Sequence, residues 1–220
     1  ATLQAAGAAF PAYLSAANML GRGAWGPLSD RLGRKTTFLL FGASPVTLCL
    51  LPQAAGMVQS SPEAALYLFQ GASLASLAIY AGAPVLLAPA ASDIFGQKDA
   101  QAIYSRCYAS LPFANVVGTA IVTQVREYSY KKHAIAIADT CDPAAFSATF
   151  GGATVAEAGD LVGAKTVTLP LLLTIAPPGT QDPTPFLYDD AFYTLASCSA
   201  LSFFCYTAAM RIPLPAKQPS

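Results

Sequence analysis

Asn18-Met-Leu-Gly-Arg-Gly-Ala-Trp-Gly-Pro-Leu-Ser-Asp-Arg-Leu-Gly-Arg-Lys35 is the stretch on which the fold turns. An apolar run ends in it, charge clusters within six residues, and a second apolar run begins at once at Thr36. The pattern predicts two membrane helices joined by a short charged turn. Asp30 stands where the first apolar segment ends, and Gly33 lets the backbone take a positive φ in a tight turn. Arg31, Arg34 and Lys35 hold that turn in water beside the bilayer. A merely solvated loop would account for a loose cluster of bases. Constrained positions set between two runs of spanning length point to a specific turn instead.

Working outward, Ala1 to Gly21 carries no charge over 21 residues, enough to cross a hydrocarbon core about 30 Å thick at about 1.5 Å per residue. Thr36 to Pro62 is uncharged over 27 residues, Ala64 to Ser92 over 29, Cys107 to Val125 over 19 and Ala191 to Met210 over 20. Five spans are expected, roughly 3–28, 37–57, 63–91, 100–125 and 188–210. Pro11 is a kink point in the first, tolerated where neighbours satisfy the freed carbonyl, and Pro112 is expected to bend the fourth. Between the second and third spans lies Gln59-Ser-Ser-Pro-Glu63, with Ser60 or Ser61 as N-cap and Pro62 as first helical residue. In the third span small residues recur four apart, through Gly71 and Ala75, Ala72 and Ser76, and Ala78 and Gly82, a spacing that favours close helix contact. Asp93 to Arg106 makes a second charged turn.

Residues 126–190 differ in kind. They hold most of the remaining charge, Pro177-Pro-Gly179, two Asp-Pro pairs and a Gly-rich patch near Gly151, and read as an extramembrane excursion before the last span at 191–210 and a cytoplasmic tail at 211–220. Thr166 to Ala176 is β-branched, carries Pro170 and is too short to span, so a strand or packed loop is expected there. The lone His133, beside Lys131 and Lys132, is expected to be solvated.

Composition agrees with an all-α membrane protein. Hydrophobic residues make up 54% and charged residues 11%, against about 25% charged in an ordinary soluble domain, and the mean hydropathy is +0.46. A net charge of zero and a single histidine suggest neither a nucleic-acid footprint nor a histidine metal site. Cys49, Cys107, Cys198 and Cys205 lie in apolar runs and Cys141 in a polar region, with no C-x-x-C pair. No nucleophile, base and orienting group can be nominated together, so no enzyme and no cofactor are expected. The chain lacks an initiator Met and begins inside an apolar run, and is expected to be a piece of a longer protein.

Gly26, Asp30, Arg31, Gly33, Arg34 and Lys35 fill the fixed places of G-x-x-x-D-[RK]-x-G-[RK]-[RK], which resembles the signature loop of the major facilitator superfamily. Pro89-Ala-Ala-Ser-Asp-Ile-Phe-Gly-Gln-Lys-Asp-Ala-Gln-Ala-Ile-Tyr-Ser-Arg106, followed by Gly118, resembles the turn between helices 10 and 11 of the oxalate/formate antiporter family and its monocarboxylate-transporter relatives. The resemblance covers Ala12 to Gly118 well and the last span weakly. It implies the C-terminal half of a twelve-helix carrier, with residues 1–125 as helices 8 to 11, 191–210 as helix 12 and substrate held between the halves near mid-membrane. The implied partners are a small organic anion, the lipid bilayer and the N-terminal half, and the chain would be a multi-pass integral membrane protein. The signature Asp30 would cap a helix N-terminus of that other half in one access state.

Arg22 lies eight residues before Asp30, about 12 Å of helix, so it sits inside the hydrocarbon. A guanidinium there is costly unless it faces a partner or a watered path. The resemblance implies that Arg22 binds a substrate carboxylate, which its fork can grip through two hydrogen bonds. The alternative is that it snorkels to the cytoplasmic interface or pairs with a structural carboxylate. Where monocarboxylate carriers often have an aspartate one turn earlier this chain has Asn18, and where oxalate carriers have a lysine it reads Tyr108-Ala-Ser-Leu-Pro112. One buried positive charge suits a monoanion. Tyr80, Tyr104 and Tyr108 are candidate hydroxyl donors along the path, with interfacial packing as their alternative role. Twelve bases set the orientation. With the signature loop cytoplasmic, seven, including Arg211 and Lys217, fall on that side and four in the excursion. Two functions follow: a secondary carrier for a monocarboxylate-like anion, or a non-transporting half-carrier that scaffolds a membrane complex through the excursion.

Overall fold

The computed structural model describes residues 2–209, with side chains over 7–208. Ala1 and the tail bearing Arg211 and Lys217 lie outside the described residues. All regular structure among the described residues is helical: α1 Thr2–Leu32, α2 Arg34–Leu40, α3 Ser44–Met57, α4 Pro62–Phe95, α5 Gln97–Tyr108, α6 Ser110–Ala138, α7 Pro143–Thr149, α8 Ala158–Gly163, α9 Leu169–Ile175 and α10 Asp189–Ala209. The chain divides into two compact units, one of residues up to Gly118 and from Phe192 onward, the other Thr119–Ala191, so the division falls inside α6.

In the first unit α4 is the central helix, packed along α1 on one side and α3 on the other. Its buried positions are mostly small, among them Ala65, Ala72, Ala81 and Gly82, which lets the neighbouring backbones come close. A Cβ at Gly82 would stand 2.6 Å from the Phe41 ring and 2.7 Å from Trp25, and one at Gly21 only 2.7 Å from the Ala78 carbonyl. Ala78 accepts a hydrogen bond from Trp25 Nε1 at 2.7 Å, and Ser76 Oγ donates to Thr47 Oγ1 at 2.7 Å. Of the small-residue pairs expected to mediate packing, the pair Gly71 and Ala75 is exposed instead. α10 lies against α2 and α3: Ser44 and Ser199 share a hydroxyl hydrogen bond of 2.6 Å, Phe38 meets Tyr206 at 5.4 Å, and Phe203 fills the space left by Gly42.

Among the described residues three stretches are long and apolar enough to cross a membrane: Arg34–Met57, Pro62–Phe95 and Thr184–Ala208. α1 and α6 match them in length but are less apolar, α1 through Gln4, Ser15 and Asn18 in its uncharged stretch and α6 through Asn115, Gln124, Arg126 and Glu127. Ser61 is the N-cap of α4 with Pro62 first in the helix, although no side chain caps it. Pro11 is accommodated within α1. The expected single helix over 100–125 is two. α5 ends at Tyr108 because Pro112 has no N–H for the Tyr108 carbonyl and its ring crowds that position. Nor does helix stop at Arg126, where the excursion was expected to begin. α6 continues to Ala138.

The second unit has an ordinary apolar core of Ala134, Ile137 and Ala138 from α6, Phe146 from α7, Val162 from α8, and Val167, Leu169 and Leu172. Asp142 caps α7, its carboxylate accepting from the Ala144 N–H at 3.3 Å, and Glu157 accepts from the Thr154 N–H at 2.9 Å. The expectation of a strand or loop over Thr166 to Ala176 is corrected: Leu169–Ile175 is a helix. Pro170 stands in its first turn, where a missing N–H costs nothing and a fixed φ helps, and Leu169 and Leu172 turn one face to the core.

Candidate functional site

α1 ends with Leu32, and Gly33 takes φ +85°, a conformation open to glycine at little cost. Its N–H donates to the Ser29 carbonyl at 2.9 Å, and its own carbonyl receives the Thr37 N–H at 3.1 Å and Thr37 Oγ1 at 3.0 Å. The chain therefore leaves one helix and enters the next within a single residue. The second charged turn, expected over Asp93 to Arg106, narrows to Gly96, since α4 runs to Phe95 and α5 starts at Gln97: Gly96 takes φ +81°, donates to the Ser92 carbonyl at 3.0 Å and accepts from the Ala100 N–H at 3.1 Å.

Arg34 joins the two turns. Its Nη2 lies 2.8 Å from Asp30 Oδ1, its Nη1 donates to Ser29 Oγ at 2.8 Å, and its Nε donates to Asp93 Oδ2 at 3.0 Å. All three guanidinium nitrogens are thus engaged, with the C-terminal ends of α1 and α4 tied at one end of the unit. Asp30 and Asp93 are 65% and 58% exposed, so each pairing alone is weak. The buried Ser29 hydroxyl fixes the guanidinium between them. Ser29 and Asp93 were not anticipated as its partners. The signal was present as a repeat: Ser29-Asp-Arg-Leu-Gly-Arg-Lys35 and Ser92-Asp-Ile-Phe-Gly-Gln-Lys98 share Ser-Asp-x-x-Gly-x-Lys. Arg31 and Lys35 are exposed, and Gly26 has nothing within 4 Å of where a Cβ would stand.

Arg22 sits beside the Gly21 contact with Ala78 and is exposed rather than packed within its unit. Its Nε donates to Asn18 Oδ1 at 3.1 Å, and among the described residues it forms no ion pair. That bond draws the guanidinium toward the N-terminal end of α1, away from the charged turn. Tyr80, two residues beyond Ala78, and Tyr108 are both exposed. Tyr108 stacks tilted on Tyr104 at 5.3 Å within α5, and among the described residues no hydrogen bond or ring contact joins either Tyr80 or Tyr108 to Arg22. The arrangement offers an unneutralised cation at mid-helix and, toward the C-terminal end of α1, a three-pronged latch that must open if the turns are to separate.

No protein-family model matches the chain, nor does any curated protein or solved structure.

Proposed function

We propose that the chain is the C-terminal part of a major-facilitator-type secondary carrier that moves a small monocarboxylate-like anion by alternating access. In this reading α1, the stretch 34–57, α4, the α5–α6 segment and α10 are five spans of one six-helix half. Arg22 binds the substrate carboxylate, with Tyr80 and Tyr108 on the path, and the Arg34 latch holds the cytoplasmic turns together in one access state.

The observation that carries the reading is Arg22, a guanidinium on an otherwise apolar stretch with an amide for a partner and, among the described residues, no carboxylate. An exposed, uncompensated cation is costly in hydrocarbon and useful where an anion arrives. Its reach toward Asn18 weighs against snorkelling to the cytoplasmic end.

The test is uptake by the carrier expressed from its complete reading frame in proteoliposomes. Arg22→Ala abolishes saturable uptake of small monocarboxylates while insertion is unchanged. Arg22→Lys also impairs it, because an ammonium cannot make the paired contact. Normal uptake by Arg22→Ala removes the anion assignment. Absence of any saturable uptake by the unmutated, folded carrier favours the half-carrier scaffold.

A further inference from the structure

We propose that the second unit holds an oxyanion site, formed by Arg126, Lys131 and Lys165, that takes a phosphate group. A cavity of about 380 Å³ opens between α6 and the end of α8, with Val162 and Val167 as its buried apolar lining. Three bases line it against one acid, Glu127. None of the three forms an ion pair among the described residues. The excess of two positive charges matches a phosphate monoester, which carries about −1.5 to −2 at neutral pH.

Each base is held in place by something other than a counter-ion. Arg126 lies over the Tyr188 ring at 5.3 Å, and its buried Nε has no hydrogen-bond partner. A planar fork with a spare buried donor is suited to phosphate oxygens. Lys131 lays its stem along α8, its Cε 3.8 Å from where a Cβ of Gly159 would stand. The Tyr130 hydroxyl accepts the Leu169 N–H at 3.0 Å, leaving its own proton free to donate.

Lys165 is the most telling. α8 closes in a Schellman turn, with the Thr166 N–H on the Leu161 carbonyl at 3.0 Å and the Lys165 N–H on the Val162 carbonyl at 3.1 Å. The residue at this point must be left-handed, and glycine usually fills it. Here it is Lys165 at φ +60°, the one positive-φ non-glycine among the described residues. The strain places a lysine at the mouth of the cavity. Attraction to the carbonyl end of α8 is a weaker account, because a six-residue helix has little dipole.

A phosphate of this charge exists both free in solution and as the head group of an anionic lipid, and two arms distinguish the sources. In the first, inorganic phosphate is titrated calorimetrically into the full chain in zwitterionic nanodiscs. In the second, native mass spectrometry measures retained phosphatidic acid, whose head group is a phosphate monoester. Saturable binding in either arm, weakened at least tenfold by Lys165→Gly and by Lys131→Ala, is the expected result. Lys165→Gly relieves the backbone strain, so it does not lower Tm while affinity falls, which a merely structural lysine would not produce. Should that variant unfold, Lys131→Ala, on the exposed part of α6, decides alone. Binding in neither arm, or unchanged binding in the deciding variant, overturns the site.

Discussion

The two units of the chain are built with opposite polarity. The first turns large apolar side chains outward, with Met19 69%, Phe113 71% and Phe204 67% exposed, and keeps small or hydroxyl residues such as Ala81, Ser29 and Thr37 inside. The second buries Phe146, Leu169 and Leu172 completely and turns Lys131, Lys132 and Asp139 outward. Water drives apolar surface together, so a unit that leaves such surface bare needs another apolar environment, and its cohesion must come from close backbone approach. The contrast agrees with the three apolar stretches that are long enough to cross a membrane, and it needs no motif.

The largest expected effect breaks or upholds that contrast directly. Phe146→Ala should destabilise the second unit by about 3–5 kcal/mol, whereas Phe113→Ala, on the exposed face of α6, should cost almost nothing. Urea unfolding of the detergent-solubilised chain, read with proteolysis across residues 139–190, measures both. Equal losses would remove the distinction.

Backbone approach in the first unit is probed next. Gly82→Val drives a side chain into Phe41 and Trp25 and should cost about 1–3 kcal/mol. Gly118→Ala meets nothing and should instead gain about 0.5–1 kcal/mol through helix propensity. Thermal unfolding of the two variants side by side provides the reading.

Asp93→Asn should lower stability by about 1 kcal/mol or less, since its carboxylate is mostly exposed. Its effect should be visible as a broadened distance between spin labels at positions 35 and 98, because the Arg34 latch then holds α1 alone. An unchanged distance would mean that packing of α1 on α4 keeps the turns together.

The smallest effect concerns cysteine chemistry. Burial pushes the Cys141 thiol above its usual range, so at neutral pH it holds less thiolate than an ordinary cysteine and should label slowly, faster only as pH rises or the unit unfolds. Cys107 is exposed and should label in detergent within the dead time of a Cys141 experiment. Mass spectrometry of maleimide adducts separates the two, and rapid labelling of Cys141 in the folded chain would contradict the core described for the second unit.

Cys141 also shows what local composition does not report. It was the one cysteine in a polar stretch, yet it is buried, while Cys107, Cys198 and Cys205 in apolar runs are exposed. Local hydrophobicity reports which solvent a helix prefers, not which of its faces meets another helix. The strand or loop expected at Thr166 to Ala176 failed for a related reason: β-branched residues set only a weak preference, and two buried leucines a turn apart outweigh it. The charged turn was legible because its cause is local. Gly33 and Gly96 permit the left-handed residue, and Asp30 reaches Arg34 one helical turn away.

The sequence by itself determined the helical class, the apolar stretches, the two glycine turns and the start of α4 at Pro62, since each follows from composition, period or backbone freedom within a few residues. Only the tertiary structure decided that α6 runs on past Arg126, that Arg22 leans on Asn18 with no acid among the described residues to meet it, and that Arg34 closes on Asp93 59 residues away. Such pairings depend on which helices pack and at what register, and that is fixed by the fit of small residues across α1, α3 and α4 rather than by any one segment.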